Sequence, residues 1–258
     1  MYYEIEIISI FVLGLLGLIV GSFSNVCIYR IPRNESIVYP ASHCPKCRTT
    51  IKPIDNIPLL SYILLKGRCR NCKSKISIQY PVVEFLTGLM YLMIYLIYGL
   101  SMQTLIYIIL SSALIIIAFI DLNQQIIPDE ISLPGIVIGF ILSFFVPYIS
   151  FVNSGLGVVV GGGIILIIGL AGSVIYKKEA IGGGDVKLAA MIGAFLGWRY
   201  TIISLFLGFF LGALTGIILI LSKIKSREDT VPFGPFIVLG SFITLFWGEK
   251  IISWYLGF

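Results

Sequence analysis

Runs of about 20 apolar residues, the length a helix needs to cross the hydrocarbon core of a bilayer, recur along almost the whole chain and leave little room for any other architecture. They lie near 5–28, 81–99, 102–120, 131–150, 155–175, 186–198, 200–221 and 233–256. The runs are continuous and lack the period-two alternation of lipid-facing strands, which argues against a β-barrel. With 58% of the 258 residues hydrophobic and only 12% charged, a soluble domain is excluded. The expected fold is an all-α polytopic membrane protein of about eight spans. The run 186–198 is short, so its separation from 200–221 is the least defined boundary.

Charge distribution orients these spans. Between Arg30 and Lys75 there are ten Lys or Arg and two acids, Glu35 and Asp55, an excess that assigns this loop to the cytoplasm. Threading eight spans from there brings 121–130, 176–185 and 222–231 to the same side and both termini to the other. Of the 18 basic residues, only Arg199 and Lys250 then lie away from the inner boundary. Met1-Tyr-Tyr-Glu-Ile-Glu-Ile7 has no Lys or Arg ahead of the first run, unlike a cleaved signal peptide, so the first span is expected to remain. The net charge of +5 is mostly this bias. A basic loop beside anionic lipid needs no nucleic-acid partner, and no nucleic-acid-binding motif is present.

The chain therefore divides into a first span (1–29), a polar cytoplasmic loop (30–80) and a transmembrane core (81–258). Prolines at 32, 40, 45, 53, 58 and 81 make a long regular helix in the loop improbable. No sequence repeat is apparent. Small residues four apart, at Gly17 and Gly21, Gly157 and Gly161, Gly193 and Gly197, and Gly208, Gly212 and Gly216, predict close helix packing in lipid.

Four of the five cysteines form Cys44-Pro-Lys-Cys47 and Cys69-Arg-Asn-Cys72. This is the pattern of a four-thiolate structural Zn2+ site, in which each knuckle bends back on one tetrahedral metal. Disulfides are the other reading, and a cytoplasmic location opposes them. Four thiolates leave no open coordination position, so the metal folds the loop and does no chemistry. Cys27 has no partner and reads as a small buried apolar residue. His43, the single histidine, is positioned beside Cys44 as an alternative metal ligand, but reads rather as a loop or outer-sphere residue. One histidine placed there gives a Ser-His or Cys-His mechanism little support.

Two carboxylates stand out. Asp121 ends the apolar run from Leu114 to Ile120, and Asp185 follows Gly182-Gly183-Gly184. Charge at membrane depth is costly and functional by default, and the predicted topology sends both to one face. Brought together, they would form a shared-proton pair able to activate water for peptide hydrolysis. The three glycines would let an extended substrate backbone approach closely. Structural readings exist beside this one. Asp185 can cap a helix starting at Val186, Asp121 can end a span at the interface, and Asp129, after Pro128, is expected to be a helix cap.

Several motifs then coincide. Gly21-Ser-Phe-Ser-Asn-Val-Cys-Ile-Tyr-Arg-Ile-Pro32, the two cysteine knuckles, Asn56-Ile-Pro-Leu-Leu-Ser-Tyr62 and Tyr80-Pro-Val-Val-Glu84 are followed by Asp121 through Ile127-Pro-Asp129, then Gly182-Gly-Gly-Asp185-Val-Lys-Leu188 and Pro232-Phe-Gly-Pro-Phe236. In this order and spacing, over nearly the whole chain, they resemble the type IV prepilin peptidases, bifunctional leader peptidases and N-methyltransferases of the GxGD aspartyl protease group. Ser24 departs mildly from that pattern, which usually has an aliphatic residue there.

The resemblance implies catalysis by Asp121 and Asp185, and prepilin or pseudopilin substrates with a short basic leader ending in glycine before a hydrophobic helix. It implies cleavage at the cytoplasmic face of a bacterial inner membrane, then methylation of the new amino terminus from S-adenosylmethionine. No Rossmann-type methyl-donor motif is present, so the second activity rests on the resemblance, which places it near 20–85 with Glu84 as a contributor. Glu84 can instead be a buried packing partner of a basic side chain. Membrane lipid is the other expected partner. Two rival classes remain. An ion-coupled transporter would set its carboxylates near the bilayer midplane, and a non-catalytic assembly module would explain the thiols but not the glycine-aspartate motif.

Overall fold

The computed structural model describes residues 2–146, 149–176, 182–226 and 231–256, and the regular structure in these segments is helical. The α-helices are α1 (Tyr2–Arg30), a short α2 (Leu60–Leu64), α3 (Gln79–Tyr98), α4 (Met102–Gln124), α5 (Asp129–Leu142), α6 (Phe151–Tyr176), α7 (Gly183–Leu221) and α8 (Gly234–Leu256). Among the described residues no strand forms, only two isolated bridges, His43 with Thr50 and Arg68 with Lys75. Parts of the loops expected at 176–185 and 222–231 lie outside the described residues, at 177–181 and 227–230.

Six helices are long and apolar enough to cross a membrane: α1, α3, α4, α6, α7 and α8. Two expected segments differ from this set. The run 131–150 yields the 14-residue α5 followed by a 3-10 turn at Ser143–Phe145, with Pro134 inside the helix. The runs 186–198 and 200–221 join as the 39-residue α7. At 1.5 Å per residue that would be about 58 Å, twice a hydrocarbon core of about 30 Å. The helix breaks at Gly197, whose φ of 74° and ψ of 168° are non-helical, so a turn separates its two apolar halves where the sequence boundary was least defined.

The chain divides into two compact units within α4, Met1–Ile116 and Ile117–Phe258. In the first unit α1 packs on α3 through glycine. A Cβ on Gly17 would sit 2.8 Å from Gly88 Cα, and one on Gly21 2.7 Å from Glu84 Cα. Without side chains at these points the backbones approach closely, gaining dispersion contacts that lipid alone would not drive. Polar groups buried by that approach are held locally. Ser24, fully buried, donates to Val20 O at 2.8 Å within its own turn, which explains why a hydroxyl is tolerated there. Asn25 Nδ2 donates to Tyr80 O at 3.0 Å. Cys27 is buried, as expected of an apolar cysteine.

In the second unit α7 is the hub, contacted by α5, α6 and α8. Gly157 of α6 and Gly193 of α7 face each other so closely that a Cβ on either would lie 2.0–2.1 Å from the other's carbonyl oxygen. Ser154 Oγ donates to Ala194 O at 2.7 Å across the same seam. Gly135 and Gly139 of α5 receive Met191 and Phe195, and Gly240 of α8 lies against Ser204 O. The glycine spacing thus marks packing, except at Gly216, where a Cβ would meet nothing within 4 Å. This clamping buries Leu188–Gly197 and fixes the start of α7, which carries Asp185.

Candidate functional site

Asp121 and Asp185 line one cavity of about 270 Å3, together with Gln125, Ile126, Ile127, Asp129, Gly182, Gly184 and Lys187. All of these belong to the second unit. Asp121 lies in the last turn of α4 and is only 5% exposed. Its Oδ2 accepts a hydrogen bond at 2.9 Å from the backbone N–H of Gly234, the first residue of α8. That N–H is one of the donors a helix leaves unpaired at its start, where the helix dipole also favours negative charge. A Cβ on Gly234 would stand 2.6 Å from the same oxygen, so only glycine fits against this carboxylate. Gly234 belongs to the motif Pro232-Phe-Gly-Pro-Phe236, which by itself assigns it no role. Its partner lies 113 residues away, and no local signal connects them.

Asp185 is half-buried and sits in the first turn of α7, whose N-cap is Gly182. The helix therefore begins at Gly183, three residues before the expected Val186. The Asp185 carboxylate accepts from the Gly182 backbone N–H, the third-residue half of a capping box. Capping and membership of the cavity coexist. The glycines divide the remaining work. A Cβ on Gly184 would meet Ile127 Cβ at 2.8 Å, whereas at Gly183 nothing among the described residues lies within 4 Å. Gly184 is thus required by packing, and Gly183 leaves open space beside Asp185.

The expected cap at Asp129 is corrected. Pro128 holds the N-cap position of α5 and no side chain caps the helix. Asp129 instead pairs with Lys187 of α7, whose Nζ lies 2.6 and 2.8 Å from the two carboxylate oxygens. Proline at the N-cap leaves the following carboxylate free for a tertiary partner.

The loop of the first unit brings Cys44, Cys47, Cys69 and Cys72 together, all four Sγ atoms within 4.8 Å of one another. Cys44 and Cys72 are 3.8 Å apart, and Cys47 and Cys69 4.0 Å. Thiolates at about 2.3 Å from a tetrahedral metal lie about 3.8 Å from each other, against about 2.05 Å in a disulfide. All are free, and the set fits a metal ion. His43 stays out of the cluster, its Nδ1 3.1 Å from Ala41 O. The Cys47 thiol is pushed down to about 6 by hydrogen bonds from the Thr49 side chain and backbone, and Cys44 is lowered chiefly by the Cys47 backbone N–H. Both shifts favour the metal-binding thiolate.

The two knuckles, alike in sequence as C-x2-C, are also structural copies. Cys44 N donates to Thr49 O and Cys69 N to Ser74 O, at 3.0 and 2.9 Å. Arg48 and Lys73, each following the second cysteine, take left-handed φ values of 56° and 58°. Asn71 donates to Thr49 Oγ1 at 2.8 Å across the knuckles. Arg70 grips Asp55 with contacts of 2.6–3.0 Å and holds its carboxyl below the usual range. Buried Arg30 donates to Ser36 O and Pro40 O at 2.8 and 2.7 Å, tying the loop to the end of α1.

Glu84 is buried in α3, with no basic partner among the described residues; its Oε2 accepts from the Leu59 N–H at 2.8 Å, and Ser22 also bonds to it. Leu59 has a φ of 58°, a conformation that costs a non-glycine residue about 1–3 kcal/mol and that Glu84 helps to hold. Ser22 and Pro58 line a second cavity of about 340 Å3, with Arg30, Asn56 and Ser42.

Comparisons with known proteins converge on one family. Residues 15–98 match the bacterial peptidase A24 N-terminal domain and residues 108–217 the type IV leader peptidase family. The prepilin leader peptidase/N-methyltransferase of Pseudomonas putida is 34% identical over 260 residues, covering 92% of this chain and 90% of the relative. That of Legionella pneumophila is 37% identical, covering 96% and 94%, and that of Myxococcus xanthus 38%, covering 84% of this chain and 65% of the relative. No solved structure matches. With both halves of the chain matched and relatives of this identity aligned along nearly its full length, the chain belongs to the type IV leader peptidase family.

Proposed function

We propose that this peptidase is an aspartyl enzyme that removes the leader from prepilins or pseudopilins at the cytoplasmic face of the inner membrane, and then methylates the new amino terminus. The observation that carries the first half is the shared cavity of Asp121 and Asp185, each held at a helix N-terminus, with open space at Gly183. Two carboxylates in one cavity favour a state with one proton between them. The ionised one takes a proton from water as it attacks the scissile carbonyl, and the protonated one supplies a proton to that carbonyl or the leaving amine. No covalent intermediate is needed. Asp121 near the end of α4 and Asp185 at the start of α7 favour chemistry at a membrane boundary over the midplane site of a transporter. The basic loop orients that boundary toward the cytoplasm.

The metal is a structural zinc: four thiolates close its coordination sphere, leaving 81–258 as the peptidase core and 30–80 as the zinc-folded loop. The names of the relatives support methyl transfer. When bound, S-adenosylmethionine would supply the methyl group, and the 340 Å3 cavity behind which Glu84 lies is within the size range of small-molecule sites. Ser22, Arg30 and Asn56 would hold the donor there.

The test is leader cleavage of a synthetic prepilin by purified Asp121→Asn and Asp185→Asn, with methyl incorporation into a pre-cleaved pilin measured on the same preparations. Both variants should lose cleavage, because an amide cannot exchange the proton, and should keep methylation. Near-normal cleavage by either would remove that residue from the mechanism. Loss of both activities in folded protein would refute separate sites.

A further inference from the structure

The cavity of Asp121 and Asp185 holds two charged groups that the proposed hydrolysis does not use, Asp129 and Lys187. Their side chains are paired but substantially exposed, 52% for Asp129 and 37% for Lys187. An ion pair so accessible to water contributes little to stability. Asp129 is also not spent on capping α5. Beyond the favourable helix dipole at the first turn of α5, the pair is neither a buried ion pair nor a helix cap, and its place on the cavity wall gives it room for another role.

Lys187 stands two residues after Asp185 on α7. Side chains two apart do not face each other on a helix, so the backbone does not aim Lys187 at Asp185. Its four-carbon stem is flexible, however, and Lys187 lines the same cavity as both carboxylates. Left without a partner, that ammonium would be drawn to them. A cation in contact with the pair would stabilise the doubly ionised state and remove the shared proton on which the chemistry depends. Among the described residues, the other groups lining the cavity carry no charge that could substitute for Asp129. Gln125, Ile126 and Ile127, between α4 and α5, are uncharged, the glycines at the start of α7 offer only backbone, and α8 contributes the Gly234 N–H to Asp121.

We propose that Asp129 is a positioning residue that holds the Lys187 ammonium away from the Asp121–Asp185 pair, keeping that pair able to carry a single proton. The assignment rests on the aspartyl reading of the cavity.

The experiment is the pH profile of leader cleavage for Asp129→Asn, Lys187→Met and the double variant, with Asp121→Asn and Asp185→Asn alongside. Asp129→Asn frees a positive charge beside the pair, so its active range should move to lower pH by about one unit, with an activity loss of about tenfold at neutral pH. Lys187→Met frees a negative charge, so its range should move to higher pH. Removing both charges should return the profile to the wild-type position. Opposite shifts that cancel in the double variant are not produced by a mere clamp between α5 and α7, which every variant would break alike. Equal losses without opposite shifts, or a double variant as impaired as the worse single one, would overturn the proposal. Should Asp129→Asn fail to fold, an unshifted profile for Lys187→Met overturns it equally. Retained cleavage by Asp121→Asn or Asp185→Asn would instead overturn the aspartyl reading, an outcome distinct from these.

Discussion

Replacing Gly234 with alanine puts one methyl group where the structure has no space for it. The new Cβ would stand 2.6 Å from Asp121 Oδ2 and 3.2 Å from its Cγ, whereas non-bonded heavy atoms settle near 3.5 Å. Either the carboxylate or the start of α8 must give by close to 1 Å, and the 2.9 Å hydrogen bond from the Gly234 N–H is then lost or bent. A hydrogen bond to a charged group contributes about 1.5–3 kcal/mol, which at 1.36 kcal/mol per decade is roughly 10- to 150-fold in rate. A catalytic group misplaced by about 1 Å costs on the order of a hundredfold. Both routes lead to a fall in kcat of about a hundredfold, with KM changed little if, as proposed, Asp121 acts on the reacting bond. Initial rates of prepilin cleavage by detergent-purified Gly234→Ala, compared with Gly216→Ala, which meets nothing within 4 Å, would measure it. Wild-type kcat in Gly234→Ala would refute the claim that α8 positions Asp121.

The glycines before Asp185 should separate in the same assay: Gly183→Ala, with open space around it, should fold normally yet lose cleavage if substrate backbone passes there, whereas Gly184→Ala should disturb folding through Ile127. Purified protein should contain one zinc per chain by metal analysis, and Cys44→Ser/Cys47→Ser should release it. Because the Cys47 thiol is lowered to about 6, its contribution to the metal-free loop is complete above the ordinary thiol range and is lost as pH falls through about 6; acid should correspondingly release the metal as protons compete for the thiolates. Glu84→Gln should reduce methyl incorporation more than cleavage; it should also loosen the segment around Leu59, seen as faster proteolysis there, because an amide has one acceptor oxygen where the carboxyl group has two and the Leu59 N–H bonds to one of them. Equal loss of both activities would make Glu84 purely structural.

Much was legible in the sequence because its carriers are local. Apolar run length determines which segments must be helices in a bilayer, since lipid satisfies no backbone group. Two C-x2-C knuckles bring four thiols together through the reach of their own turns. The glycine spacing along α1, α6 and α7 marked contact faces, because close helix approach in lipid requires small residues at that period. The resemblance assembled from ordered motifs agrees with the family matches.

Tertiary structure decided what depends on distant partners or on local competition. The run 131–150 reads as a span, yet its helix passes through Pro134 and gives way to a 3-10 turn after Leu142. One glycine among several, Gly197, breaks α7, and only its backbone conformation distinguishes it. Asp129 satisfied every local rule for a cap, and lost that role because Pro128 occupies the position while Lys187, 58 residues later, supplies an ion partner. Gly234 showed only that a helix could begin there, and its contact with Asp121 exists because the end of α4 and the start of α8 meet at the same place in the second unit. The sequence alone determined which side chains are candidates for chemistry and which segments must be helices, because both follow from side-chain type and short-range periodicity. Which carboxylate meets which backbone amide, and which pairs with Lys187, came only from the packing of helices around α7, a property of contacts that no local pattern encodes.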